Sequence, residues 1–277
     1  MSVLITGGSG FLGRALTKHL LAGGIRRVRI YSRGEFAQAR MAAEFQDDRL
    51  GFFIGDVRDQ DRLERAMQGI ECVVHAAALK RIEVGAYNPD EMVKTNVIGS
   101  MNVIEAARRA RVGKIVFVSS DKAYQPVSPY GQSKALAESL FLAVNRMNLG
   151  PRVAVCRYGN VAGSTGSVIP LWRQQIAAGE PITIRGMDTT RFWMTIDQAV
   201  ELVVRAIDSW EEMLIPELPA YRLQDLAEAM GCVDGYPRYY TDPDSWEKRH
   251  ECMGPYNCSD GARKMTVEEI EEALKHV

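Results

Sequence analysis

The 277 residues contain no apolar run near the roughly 18 that a membrane-spanning helix needs, so no membrane association is expected. The N-terminus also lacks the succession of basic, apolar and small-residue regions of a secretory signal; Ser2-Val3-Leu4-Ile5 runs straight into glycines. An excess of one charge sign is missing too. The 34 Lys plus Arg against 35 Asp plus Glu give a net charge of -1, with no bulk attraction to nucleic acid, and only a local basic pocket is left open. Cysteine is scarce: Cys72, Cys156, Cys232, Cys252 and Cys258 make an odd count of 5. Cys72 and Cys156 lie in apolar strand-like runs, so buried free thiols and a reducing, cytoplasmic setting are expected. Cys252 and Cys258 have His250 nearby but no second close Cys/His pair of zinc-like spacing, so no metal is expected. Repeats and low-complexity tracts are absent.

What is present is ordinary in amount and specific in order. Hydrophobic content of 46% and charged content of 25% suit a globular chain long enough to bury a full core. Short apolar runs at 3–6, 28–31, 52–54, 72–75, 115–118 and 153–156 alternate with helical patterns, including a long one from about 89 to 109 and another from 133 to 145. Apolar strands linked by helices argue for an α/β fold with a parallel sheet covered on both faces. Beyond about residue 160 the alternation breaks. Pro170, Pro181, Pro216, Pro219, Pro237, Pro243 and Pro255 divide the chain into short pieces, as expected of a lobe over a ligand. Residues 267–277 read as a closing helix with Thr266 as cap and Glu269 three residues on.

Gly7, Gly10 and Gly13 follow the first strand and open a helix, with Ser9, Phe11 and Leu12 between them. Missing Cβ atoms let backbone approach a pyrophosphate, and free N–H groups at the helix start meet its charge. The expected fold is therefore a Rossmann-type doubly wound sheet with a small C-terminal substrate-binding lobe. Residues 1–160 are expected to bind NAD(P), and 161–277 to form the lobe, partly interleaved with the core. After the second strand stand Ser32 and Arg33, where a carboxylate would favour NAD; a hydroxyl and a guanidinium suit a 2′-phosphate, so NADP is expected, with NAD the alternative. Asp56, with Val57, is placed for the adenine, and the small Ala76, Ala77 and Ala78 let a cofactor lie flat. Asn96 completes the expected cofactor set.

Tyr130 and Lys134 put a phenol four residues before an ammonium on one helix face, just after Ser119-Ser120 at the end of the fifth strand. A cation and a nicotinamide nearby stabilise a phenolate, which then serves as a base. Asp121-Lys122 adds a second acid/base pair at the strand end. Hydride transfer alone needs only the tyrosine relay, so the second pair points to additional proton chemistry, such as C–H abstraction with expulsion of a hydroxyl.

These stretches resemble the extended short-chain dehydrogenases, and within them the UDP-N-acetylglucosamine 4,6-dehydratases, most closely the inverting type of pseudaminic acid synthesis. The resemblance rests on TGGSGFLG (6–13), YSRGE (31–35), FFIGDVRD (52–59), HAAALK (75–80), YNP (87–89), KTN (94–96), SSDKA (119–123), YGQSK (130–134), RYGNVAGSTGSVIPL (157–171) and TRFWMT (190–195). It covers nearly all of residues 1–200. It implies Tyr130 and Lys134 as the dehydrogenase pair, acting with Ser120. Asp121 and Lys122 become the dehydration pair, with Lys122 taking the C5 proton and protonated Asp121 helping water leave C6. Lys80, Arg157, Asn160, Val168, Arg191 and Glu251 are implied to bind the UDP-sugar, in a dimer or hexamer. The retaining branch tends to carry Met in place of Tyr130 and Phe in place of Tyr158, so the inverting outcome is implied.

The chain departs from the pattern at four places. Ser120 replaces a threonine, Gly85-Ala86 replaces Ala-Glu, and Tyr124 stands where dehydratases commonly have alanine. Residues 246–251, WEKRHE, only partly echo the family's R-P-G-E-K-x-H-E segment. A retaining dehydratase, a nucleotide-sugar 4-epimerase, which Tyr124 favours, and a non-catalytic nucleotide sensor are the other readings.

Overall fold

Valine, isoleucine and leucine runs bounded by glycine form strands that are covered on both faces. β1 (Ser2–Thr6) is buried along its whole length. In the computed structural model, which describes residues 1–148, 150–233 and 235–277, it is central to a seven-stranded sheet. Beside it lie β2 (Arg27–Ser32) and β3 (Leu50–Ile54) on one side. On the other side follow β4 (Cys72–His75), β5 (Lys114–Val118) and β6 (Arg152–Cys156). All these pairings are parallel, and the order β3-β2-β1-β4-β5-β6 reverses direction between β1 and β4. That reversal opens a crevice at the carboxyl ends of the strands, the place where such sheets bind ligands. The register puts Thr6 beside both Tyr31 and His75, so the strand ends form one ledge.

One face of the sheet is packed by α1 (Phe11–Ala22) and α2 (Glu35–Phe45), the other by α3 (Gln60–Met67). The helical stretch expected from 89 to 109 is α5 (Pro89–Met92), a π-helical turn (Val93–Ile98) and α6 (Gly99–Arg109), preceded by α4 (Ile82–Tyr87). Gly99 lets α6 approach: a Cβ there would come within 2.7 Å of the Val57 side chain. α7 (Pro129–Met147) starts earlier than expected. The Ser128 hydroxyl accepts from the Gly131 N–H at 3.1 Å, and Pro129 suits the first turn, whose own N–H groups have no helical partner. Tyr130 therefore sits in a capped first turn.

After β6 the chain builds the lobe, but returns once to the large sheet. α8 (Val168–Ala178) leads to β7 (Ile182–Arg185) and β8 (Thr190–Phe192). Then α9 (Ile196–Asp208), fixed by a Thr195/Gln198 capping box, packs on the sheet beside α1, and β9 (Met213–Leu214) extends it next to β6. β10 (Ala220–Arg222) pairs antiparallel with β8, followed by α10 (Leu223–Ala229). β11 (Arg238–Thr241) pairs parallel with β7. β12 (Cys252–Gly254) and β13 (Asn257–Cys258) form a tight hairpin, and α11 (Val267–Leu274) closes the chain with the expected Thr266/Glu269 box.

Cys72, Cys156 and Cys232 are buried thiols, while Cys252 and Cys258 are joined in a disulfide, contrary to the expectation of free thiols throughout. The hairpin sets the two directly opposite each other, which sequence spacing alone does not reveal.

Candidate active site

The strand ends and the lobe enclose a cleft of about 1120 Å³. At one end Gly7 has φ +68°, and a Cβ there would meet the Ala77 backbone at 3.0 Å. A Cβ on Gly13 would fall 2.4 Å from the Gly8 carbonyl oxygen, so glycine is what lets α1 start this close to the turn. The helix begins at Gly10 with no side-chain cap. Its first N–H groups are left for an anion, as a pyrophosphate requires. Ser9, Gly10, Phe11, Leu12, Val57 and the three alanines 76–78 line this end, and the residues present fit a dinucleotide.

The residues expected to hold a 2′-phosphate are already engaged. The Ser32 hydroxyl accepts from Ser9 Oγ at 2.8 Å and from Gln38 Nε2 at 3.0 Å. Arg33 lies 3.8 Å from the Asp56 carboxylate. Arg58 grips that carboxylate through its backbone N–H, Nε and Nη2 at 2.9, 3.0 and 2.7 Å. Burial opposes ionisation of Asp56, but Arg58 and Arg33 outweigh it and hold the pKa below the ordinary carboxylate value. A phosphate would meet that anion. Asn96, expected at the cofactor, is buried away from the cleft. It accepts from Leu79 N at 2.8 Å and donates to Leu79 O and Ser133 Oγ, each at 2.9 Å, so it ties the loop after Ala78 to α7.

Tyr130 is buried on the cleft wall. Burial raises its pKa, while the Lys122 charge and a hydrogen bond with Ser120 pull it back down. Lys134 donates to the Val118 carbonyl at 2.6 Å and stands 4.0 Å above the Phe117 ring. Burial lowers its pKa to about 7, with Glu138 opposing.

Beside Tyr130, a short 3-10 turn (Asp121–Ala123) is capped by Ser120, whose hydroxyl accepts from Lys122 N and donates to Asp121 Oδ1 at 2.9 Å. Asp121, the first residue of this turn, is fully buried and does not line the cleft, whereas its neighbours Ser120 and Lys122 do. Desolvation raises its pKa, and Glu251 adds to the rise while Lys122 opposes it. The Lys122 ammonium donates to Asp121 Oδ1 and Asn160 Oδ1, both at 3.0 Å, and lies 3.3 Å from Glu251 Oε1. Burial favours its neutral form, but Asp121 and Glu251 prevail and push its pKa up. This arrangement does not support Lys122 as the base for C5, because a lysine held charged has no lone pair.

Of the residues implied to bind the UDP-sugar, Lys80, Asn160, Val168, Arg191 and Glu251 line the cleft. Arg157 does not. Its Nε donates to Glu138 at 2.9 Å and its Nη1 to the Met253 carbonyl at 2.7 Å, so it joins α7 to the hairpin instead of reaching a ligand. Sequence reading missed Lys248, which donates to the Tyr124 carbonyl at 2.6 Å and lies 3.4 Å from Glu251 Oε2. It missed Tyr221 and Arg185 on the lobe wall as well. The partial WEKRHE echo was the only signal for Lys248.

A doubly wound sheet with a glycine-lined helix start and a Tyr/Lys pair beside it defines an extended short-chain dehydrogenase/reductase. The chain belongs to the polysaccharide biosynthesis protein family, which it matches over residues 3–251. It is 41% identical over 237 residues to the inverting UDP-N-acetylglucosamine 4,6-dehydratase of Campylobacter jejuni, covering 83% of this chain and 70% of that protein. It is 39% identical over the same length to a UDP-glucose 4-epimerase of Rickettsia rickettsii, with the same coverage. Among solved structures, Pen from Bacillus thuringiensis superposes with a TM-score of 0.93 at 31% identity, covering 100% of this chain and 98% of that one. DesIV, a dTDP-glucose 4,6-dehydratase from Streptomyces venezuelae solved with NAD bound, gives 0.86 at 22% identity, with 99% and 96% covered. The chain is thus an enzyme of the NAD-dependent nucleotide-sugar dehydratases and epimerases.

The expectation of NADP is overturned. Structural relatives solved with a dinucleotide, DesIV and 4-epimerases from Bacillus cereus and Thermus thermophilus, hold NAD. The engaged Ser32 and the Arg33–Asp56 pair give the physical reason. No helix among the described residues is long and apolar enough to cross a membrane.

Proposed function

We propose that this enzyme is a 4,6-dehydratase acting on a UDP-N-acetylhexosamine, with NAD as its resident cofactor. The observation that carries the reading is the Asp121–Lys122–Glu251 cluster, a buried chain of charged acid/base groups beside Tyr130. Moving a hydride between sugar and cofactor needs one proton relay; further acid/base groups beside that relay suit an elimination. NAD bound along Gly7–Gly13 supplies a hydride acceptor and donor. Tyr130 takes the proton of the C4 hydroxyl, with Ser120 and Lys122 stabilising its phenolate. Lys134 orients the ribose. The resulting C4 carbonyl acidifies the C5 hydrogen, and the cluster manages the proton traffic at C5 and C6. Asn160, Lys80 and Arg191 hold the sugar and diphosphate, with Arg191 offering its guanidinium to phosphate.

A second reading, a 4-epimerase, is supported by the Rickettsia relatives named as UDP-glucose 4-epimerases at 38–39% identity, which outnumber the dehydratases among the most similar curated proteins. It uses the same Tyr130, Lys134 and Lys122 and leaves Asp121 and Glu251 without a proton to move. Incubation of the NAD-loaded enzyme with UDP-N-acetylglucosamine separates the two by mass spectrometry. The dehydratase yields a product lighter by one water; the epimerase yields one of unchanged mass.

A further inference from the structure

The β12–β13 hairpin joins the lobe to the sheet, yet its own ladder is short. Cys252 pairs with Cys258 and Gly254 with Asn257, and the register slips between the two pairs. A two-stranded hairpin of this size is marginal by itself. The Cys252–Cys258 disulfide closes its open end, and the chain turns at the exposed Pro255 and Tyr256.

Short paths lead from this hairpin to the cleft wall. Beside the disulfide, the Glu251 backbone N–H donates to Ser259 Oγ at 3.0 Å, and the Glu251 carbonyl accepts from Ser259 N at 2.8 Å. Ser259 Oγ also bonds Thr190 Oγ1 at 2.7 Å, and the Thr190 carbonyl accepts from Arg191 Nη1 at 2.9 Å. The Met253 carbonyl accepts from Arg157 at 2.7 Å, and β12 packs against the 3-10 turn. Glu251 and Arg191 line the cleft, so a hairpin that loses its shape loosens two residues of that wall.

The disulfide does little for the chain as a whole. Its cysteines are 6 residues apart, and the stabilisation from closing a loop is smallest for short loops. What it fixes is local. Both its cysteines are half-buried, whereas Cys72, Cys156 and Cys232 are buried thiols. A thiolate from outside can reach this pair, and access is what exchange requires.

We propose that Cys252 and Cys258 form a redox-modification site, a disulfide exchanged with a dithiol, whose opening weakens nucleotide-sugar binding. In the step, one thiolate of the dithiol attacks a sulfur of the pair. The S–S bond breaks, and the other cysteine leaves as a thiolate that takes a proton. The second thiol of the dithiol then displaces the first cysteine from the mixed disulfide. Two electrons and two protons pass to the protein, which ends with two thiols while the dithiol ends as a disulfide. The reverse exchange closes the hairpin again. Only the binding of a UDP-sugar, taken from the reading above, is required; dehydration and epimerisation serve equally.

The test uses the full chain loaded with NAD, oxidised or treated with dithiothreitol, and UDP as the ligand in calorimetric titrations. Alkylation after unfolding, read by mass, counts 3 thiols before treatment and 5 after it. The reduced form is expected to bind UDP more weakly by about 5–150-fold, the span of ordinary couplings between two sites. Such coupling is reciprocal, so saturating UDP shifts the equilibrium of the pair toward the closed form by the same factor. A staple unconnected to the cleft shows neither effect. Reoxidation is expected to restore the affinity. The Cys252→Ser/Cys258→Ser variant is expected to bind UDP as reduced wild type does and to ignore dithiothreitol. Equal affinity of the two wild-type forms, or a disulfide that resists dithiothreitol in the folded protein, overturns the proposal whether or not the double variant folds. If neither form binds UDP, the nucleotide-sugar reading fails first and the proposal falls with it.

Discussion

Lys134 carries an amine into an apolar place, and that has a measurable consequence. Its pKa in the folded protein is about 7, whereas in the unfolded chain a lysine titrates at about 10.4. Between those two values the unfolded state binds more protons than the folded one, so stability rises with pH through this window. Lys134→Met removes the slope. Without nucleotide, the variant is expected to be more stable than wild type near neutral pH, and the gap is expected to shrink as pH approaches about 10. Urea midpoints of the two proteins at both ends of the window check this; a constant gap contradicts it. Tyr130 with Lys134, and Asp121 with Lys122, were legible because each pair is set by local spacing: four residues on a helix face, or adjacency in a turn. Arg157 and Asn96 were not. An arginine after a strand points to a ligand or to a carboxylate according to what the fold brings beside it, and here that is Glu138 and the Met253 carbonyl.

At the scale of elements, Arg157 is the joint between β6, α7 and the hairpin. Both it and Glu138 are largely buried, with 13% and 6% of their side chains exposed. Removing one partner leaves a buried charge without its counter-ion, which costs about 3–5 kcal/mol. Arg157→Ala is therefore expected to lower unfolding stability by that order, and the Glu138→Ala/Arg157→Ala double variant to lose less than the two single losses summed. Denaturant titration of the four proteins tests the coupling. A variant with unchanged stability but a raised KM for the nucleotide sugar would return Arg157 to the role of ligand contact. Six of the seven strands of the main sheet were readable because each is an apolar run, the first five of them with a glycine, serine or alanine turn behind it. β9 was not, since two residues carry no periodicity and Met213–Leu214 becomes a strand only because β6 offers it an edge. The π-helical turn inside the 89–109 stretch is equally silent in sequence, because its apolar spacing is read as plain helix.

The whole molecule places a nucleotide-binding ledge and a proton-handling cluster on one side of a single cleft. The ledge was visible in the glycines after β1. The closing wall was visible only in part: the resemblance implied Glu251, whereas Lys248, Tyr221 and Arg185 come from a lobe of short strands whose pairings link residues far apart in the chain. The cofactor preference misled for a related reason. Ser32 and Arg33 read as a phosphate site only until Gln38, Asp56 and Arg58 are seen around them. That oxidation at C4 serves a dehydration is tested by following one atom. UDP-N-acetylglucosamine deuterated at C4 is turned over by the NAD-loaded enzyme, and the label is located by NMR. In a dehydration the deuterium leaves C4 and appears in the new C6 methyl group, with loss of one water. Deuterium found again at C4, in a product of unchanged mass and inverted C4 configuration, would contradict it.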